Sequence, residues 1–93
     1  MIIGVMNIEL LIPGSNSLKT KRQAIKGIKD RLRSRFNVSV AEINNTDKWQ
    51  RSSLCVVAVS NEKKHVENIF AKVMDCIYNN YRIEVINTTT TFL

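Results

Sequence analysis

Segments with the residue spacing of β-strands and of α-helices follow one another along this chain in an order that restricts the fold more than any other feature. A strand alternates its side chains between two faces, whereas a helix returns to one face every three or four residues. By this criterion the chain contains six elements: a strand at residues 2–12, a helix at 18–36, strands at 38–43 and 51–60, a helix at 62–79 and a strand at 81–92. The order βαββαβ predicts an α+β, ferredoxin-like sandwich.

This topology also predicts where each strand lies in the sheet. Right-handed crossovers give a four-stranded antiparallel sheet of order 4, 1, 3, 2, with both helices on one face. Its central strands are the two most apolar ones, and residues 54–59 are apolar on both faces, as a central strand requires. A chain of 93 residues builds only one hydrophobic core. We therefore expect residues 1–93 to form a single ferredoxin-like domain.

The excess positive charge of the chain is concentrated in the first predicted helix. The protein has a net charge of +6, with fourteen basic residues, and eight of these lie in residues 18–36 beside one acid, Asp30. That segment therefore carries a formal charge of +7, and the rest of the chain carries −1. A basic surface confined to one helix favours a polyanionic partner.

The residues of this helix separate into stripes when they are placed at 100° intervals. An apolar stripe is expected to face the sheet: Leu18, Ile25, Ile28, Leu32 and Phe36. On one flank lies a set that we call the basic stripe: Lys19, Arg22, Lys26, Lys29 and Arg33. Three more cations border the apolar stripe on its other flank: Lys21, Arg31 and Arg35. Gly27 faces away from the apolar stripe, where no close-packing role is evident.

We predict that cations of this helix contact nucleic-acid phosphates. The predicted contacts are Lys19, Lys21, Arg22, Lys26, Lys29 and Arg33. Trp49, which lies in a polar loop between Lys48 and Arg51, is an additional candidate contact, although packing against the edge of the domain explains it as well. The first and third strands contain no aromatic residue, so base stacking on the sheet is not expected.

The sequence offers little to an enzyme. His65 is the only histidine and is predicted to lie on an exposed helical turn, so partners for triad or metal chemistry are missing. Cys55 and Cys76 are more typical of buried reduced thiols than of a disulfide or a metal site. Residues 14–17 resemble a phosphate-binding loop only loosely and are better explained as a turn and a helix cap. We expect no enzymatic activity, no metal and no cofactor.

Cellular setting and self-association follow from the same composition. No apolar run is long enough to span a membrane, and the first residues lack the features of a signal peptide. We therefore expect a cytoplasmic protein without a membrane partner. The uncovered face of the sheet offers the alternative function of a homodimeric interaction module. It carries Val5, Asn7 and Glu9 with either Cys55, Val57 and Val59 or their neighbours.

Three ordered motifs resemble a known bacterial family. LKTKR at residues 18–22, RFNVSVAE at 35–42 and DKWQR at 47–51 are similar to the YlxP-like family, also called domain of unknown function 503. The resemblance implies a ferredoxin-like fold and a small cytoplasmic protein, often encoded beside translation initiation factor two and ribosome-binding factor A. It implies no established activity or active site. Together with the basic helix it leads us to expect ribosomal RNA or a ribosomal particle as the partner.

Overall fold

The computed structural model describes residues 1–14, 16–44, 50–80 and 82–93, and within them six elements follow the predicted order. They are β1 (Ile2–Leu11), α1 (Leu18–Arg35), β2 (Ser39–Asn44), β3 (Arg51–Ser60), α2 (Lys63–Tyr78) and β4 (Glu84–Phe92). The strands form one antiparallel sheet of order β2-β3-β1-β4, which is the predicted order 4, 1, 3, 2 seen from the other edge. The α+β ferredoxin-like arrangement is confirmed.

Local hydrogen bonds set the boundaries of the helices. Ser17 caps α1 as predicted, because its Oγ accepts a hydrogen bond from the Thr20 N–H at 3.1 Å. The predicted cap of α2 at Ser60 or Asn61 is wrong, since Glu62 occupies the cap position without a side-chain bond to the helix. Ser60 instead stabilises the turn before α2, because its Oγ accepts a hydrogen bond of 3.2 Å from the Glu62 N–H.

The last strand begins later than predicted. Residues after α2 form a turn, in which the Ile83 N–H donates to the Asn80 carbonyl and the Arg82 N–H donates to Asn80 Oδ1, each at 3.1 Å. β4 therefore starts at Glu84 rather than at residue 81. Ile83 is buried, as predicted, and Tyr81 lies outside the described residues.

Both helices pack on the same face of the sheet. Apolar side chains of β1 and β3 point toward the helices: Met6, Ile8, Leu10, Leu54, Val56 and Ala58. From α2 the buried residues are Val66, Phe70, Val73, Cys76 and Ile77. From α1 they are Lys21, Ile25, Ile28 and Leu32. Leu18 and Phe36, which were predicted for the apolar stripe of α1, are only half-buried because they lie at the two ends of the helix.

The register decides which residues lie on the uncovered face. Val5 pairs with Val57 and Asn7 pairs with Cys55, so these four share the face opposite the helices. The choice that the sequence left open for β3 is thus settled in favour of Cys55, Val57 and Val59. Glu9 lies on this face as well, and its Oε2 accepts a hydrogen bond from Ser53 Oγ at 2.6 Å.

Candidate nucleic-acid interface

The basic stripe of α1 ends at Arg33 beside β2, which is an edge strand of the sheet. Arg33 establishes the position, because its Nη2 donates a hydrogen bond of 2.7 Å to the Val40 carbonyl of β2. The turn between α1 and β2 brings this strand back along the helix, which is why a residue seven positions away is within reach. As a result, the basic stripe borders the outer edge of the domain rather than the space between the helices.

Members of the basic stripe differ in how much of their charge is available to a partner. Lys19, Arg22 and Lys26 are exposed, and Lys29 is half-buried. Arg33 keeps 50% of its side chain exposed while one side of its guanidinium holds β2. All five cations therefore have at least part of their side chain at the surface.

Asp30 is the one acid within this surface, and it binds two of the cations. Its carboxylate lies 2.8 Å from Lys26 Nζ and 4.0 Å from an Arg33 guanidinium nitrogen. The hydrogen bond from Lys26 lowers the pKa of Asp30 below its ordinary value, and the positive charges of Lys26, Arg33 and Lys29 lower it further. Asp30 is therefore ionised at neutral pH and offsets one positive charge in the middle of the basic stripe.

Lys21 does not belong to this surface, which corrects one of the predicted contacts. It is only 3% exposed, and it is engaged in an interaction within the chain. At 100° per residue Lys21 falls between Ile25 and Ile28, inside the arc that packs on the sheet, so its burial follows from the helical geometry. A phosphate outside the protein cannot reach it in this conformation.

The other two cations on that flank also have separate environments. Arg35 points toward α2, where its Nη1 lies 3.9 Å from Cys76 Sγ. Arg31 lines a groove of about 330 Å³ between α1 and the turn that follows α2, together with Arg82. This groove was not predicted, because nothing in the sequence indicates that Arg31 and Arg82 line the same space. Trp49, the remaining predicted contact, lies outside the described residues.

Residues with reactive or metal-binding side chains are dispersed. His65 is exposed, Cys55 is half-buried, Cys76 is buried, and both thiols are free. Across residues 1–14, 16–44, 50–80 and 82–93, the structure brings together no group of three His, Cys, Asp or Glu side chains that could hold a metal ion. Neither helix of the described chain is long and apolar enough to cross a membrane.

Solved structures with the same architecture identify the class of fold. A de novo designed protein, Foldit4, superposes with a TM-score of 0.59 at 16% identity, covering 98% of this chain and 97% of its own. A second designed protein, LFR1 1, described as having a ferredoxin fold, superposes with a TM-score of 0.58 at 10% identity, covering 100% of this chain and 84% of its own. At these identities the likeness shows the ferredoxin-like fold alone.

Sequence comparison then identifies the family. Residues 3–90 match the family described as "Protein of unknown function (DUF503)", and the chain belongs to it. A relative from Bacillus subtilis (strain 168), "Uncharacterized protein YlxP", is 37% identical over 89 residues, which is 96% of this chain and 97% of the relative. The resemblance predicted from the three motifs is confirmed.

Proposed function

We propose that this protein is a non-enzymatic, cytoplasmic RNA-binding factor that associates with ribosomal RNA through the basic stripe of α1. The observation that carries the proposal is the alignment of five cations on one accessible side of a single helix. From Lys19 to Arg33 the stripe extends over about 21 Å, at 1.5 Å per residue. That length matches several consecutive phosphates of a nucleic-acid backbone.

The uncovered face of the sheet supports the helix as the binding surface. Proteins of similar topology bind single-stranded RNA by stacking bases on aromatic residues of the central strands. Here the central positions of that face are held by Val5, Asn7, Cys55 and Val57. Phosphate contacts from α1 are largely independent of base sequence, so the shape of a folded RNA supplies the selectivity. The family resemblance implies that such proteins are often encoded beside translation factors, which favours ribosomal RNA as the partner.

A pair of matched charge reversals tests the proposal. Lys19→Glu with Arg22→Glu removes two cations from the basic stripe, and Lys64→Glu with Lys72→Glu makes the same change in net charge on exposed positions of α2. Binding to a structured ribosomal RNA fragment is measured by fluorescence anisotropy at several salt concentrations. Losing two phosphate contacts should reduce the slope of log K against log salt by about 1.4 to 1.8. The α2 variant should keep the wild-type slope.

Two results would contradict the proposal. One is the absence of binding to structured RNA at low salt. The other is an equal loss of affinity in the α1 and α2 variants, which would indicate a response to net charge alone. In a gradient of a lysate from the protein's own cells, the wild type should sediment with ribosomal particles, and raising the salt should release it.

The uncovered sheet face favours a second candidate function, a homodimeric interaction module. Val59 lies on this face with 56% of its surface exposed, next to the half-buried Val5 and Val57. Apolar surface of this kind is buried when two such sheets pair. Analytical ultracentrifugation decides the matter: a dimer that Val57→Asp converts to a monomer would support this function, whereas a wild type that remains monomeric at high concentration would end it.

A further inference from the structure

The groove between α1 and the turn after α2 contains a feature that the packing of the chain does not explain, the glycine at position 27. A glycine inside a helix costs roughly 1 kcal/mol relative to alanine. The other two glycines have internal reasons: Gly14 has a φ of +78° in a turn, and a Cβ at Gly4 would lie 2.5 Å from Val66 Cγ1. A Cβ at Gly27 would meet nothing within 4 Å. The absence of a side chain there keeps space open outside the helix.

That open space belongs to a groove with the chemistry of an anion-binding site. Arg31 and Arg82 both line it, and they are the only charged side chains among its described lining residues. Arg82 lies in the turn after α2, and its N–H donates a hydrogen bond to Asn80 Oδ1 that holds this turn. A guanidinium binds a phosphate through paired N–H groups and also stacks on flat rings.

The uncharged part of the groove is rich in amides. Gln23, Asn79 and Asn80 line it beside Gly27, and Asn80 Oδ1 already accepts the hydrogen bond from the Arg82 N–H. Amide side chains carry a donor and an acceptor at a spacing that matches the edges of nucleobases, and Arg planes can replace aromatic rings as stacking surfaces for bases. An acidic peptide chain would also match the two arginines and the amides, but its backbone offers no flat ring on which a guanidinium can stack.

The groove also continues along α1. A second groove of about 340 Å³ adjoins it, and Gln23 and Arg82 line both. It extends to the turn at Pro13 and Gly14. The first groove is within the size range of small-molecule sites, and the continuation leaves room for a chain to enter or leave.

We propose that this groove binds a nucleotide, with the phosphate held by Arg31 and Arg82, the base edge contacted by the amides, and the ligand lying close to the helix backbone at Gly27. The groove is on the opposite flank of α1 from the basic stripe, so this proposal goes beyond RNA binding by that stripe and stands independently of it. The nucleotide could be a free mononucleotide or one unit of a single-stranded RNA, because both present the same phosphate and base.

The test uses nuclear magnetic resonance titrations of the ¹⁵N-labelled protein with the four ribonucleoside monophosphates, with inorganic phosphate and with a short single-stranded oligoribonucleotide. The chain has three glycines, whose amide signals are readily followed. We expect the Gly27 amide to shift with at least one mononucleotide or with the oligonucleotide, while Gly4 beneath α2 does not. Saturation by mononucleotide identifies a free nucleotide as the ligand, and saturation by the oligonucleotide alone identifies single-stranded RNA.

Variants of the groove separate binding from folding. A Cβ at Gly27 meets no neighbour within 4 Å, so Gly27→Leu should fold, occupy the open space and weaken binding about tenfold or more. Asn68→Leu adds the same side chain at an exposed position of α2 and should have no effect. Arg82→Ala should also weaken binding about tenfold. The proposal is overturned if no nucleotide shifts the Gly27 amide, if inorganic phosphate reproduces every shift at the same concentration, or if Gly27→Leu binds as tightly as the wild type. The charge reversals in the basic stripe leave this groove intact, so the two proposals can fail separately.

Discussion

The two helices lie on the same face of one sheet, yet they differ in the residues that they bury and in their charge. α2 buries five residues that are all apolar or a thiol, and its formal charge is close to zero. α1 buries four residues, one of which is Lys21, and its formal charge is +7. Both helices are amphipathic, so the difference lies in the faces that they turn outward.

The outward face of α1 has a cost in helix stability, which the ion pairs of Asp30 with Lys26 and Arg33 offset only in part. The cations of the basic stripe follow one another at spacings of three and four residues, where like charges repel by a few tenths of a kcal/mol per pair. Gly27 weakens the same helix further. α2 contains neither feature. α2 closes the core without these costs, whereas α1 carries them on the outer face for which binding is proposed.

The largest expected effect lies at the contact between α2 and the sheet. A Cβ at Gly4 would come within 2.5 Å of Val66 Cγ1 and 2.9 Å of Phe70 Cε2, so Gly4→Val forces α2 away from β1. We expect the free energy of unfolding in urea to fall by about 1 to 3 kcal/mol. As a control, Val66→Ala should cost less in the Gly4→Val background than in the wild type, because the shorter side chain relieves the clash. If Val66→Ala lowers the free energy of unfolding equally in both backgrounds, α2 does not pack against position 4.

An opposite effect is expected at the glycine of α1. Gly27→Ala should raise the free energy of unfolding by roughly 1 kcal/mol, since alanine is the better helix former and its Cβ meets no neighbour. The denaturation midpoint should rise while the m-value stays constant. A loss of stability would mean that Gly27 has a packing role, and the contrast between the two helices would lose one of its supports.

The smallest effect is expected from Asp30→Asn, which releases Lys26 from its 2.8 Å ion pair. Affinity for structured RNA should rise severalfold, because the basic stripe gains one uncompensated charge. Asp75→Asn makes the same charge change on α2, and it should leave the affinity nearly unchanged. A larger gain from the α2 variant would argue against the basic stripe as the binding surface.

The same substitution has a pH signature. The pKa of Asp30 in the folded protein is lowered, chiefly by the hydrogen bond from Lys26, so the stabilisation that it contributes is present above its unfolded pKa. That stabilisation is lost as the pH falls through the lower, folded pKa. Any difference in unfolding midpoint between wild type and Asp30→Asn should therefore disappear in acid. A difference that grows with falling pH would contradict the lowered pKa.

Much of the fold followed from periodicity. The element order, the strand order and the cap at Ser17 were all predicted, because hydrophobic spacing and capping residues act over a few neighbouring positions. A prediction failed where the usual preference of a residue type disagreed with its position on the helix. Lys21 was assigned to the surface because lysine is usually exposed, although its angular position between Ile25 and Ile28 lies within the buried arc.

The sequence by itself determined that the chain would form a split βαβ sheet with one strongly basic helix, since period and charge are properties of consecutive residues. Only the tertiary structure decided which of those cations are accessible, because burial depends on what packs against the helix. It alone brought Arg82 to the flank of α1 beside Arg31 and Gly27, since residues more than fifty positions apart meet only when the chain folds. For the same reason, the basic stripe was foreseeable from the sequence, whereas the groove was not.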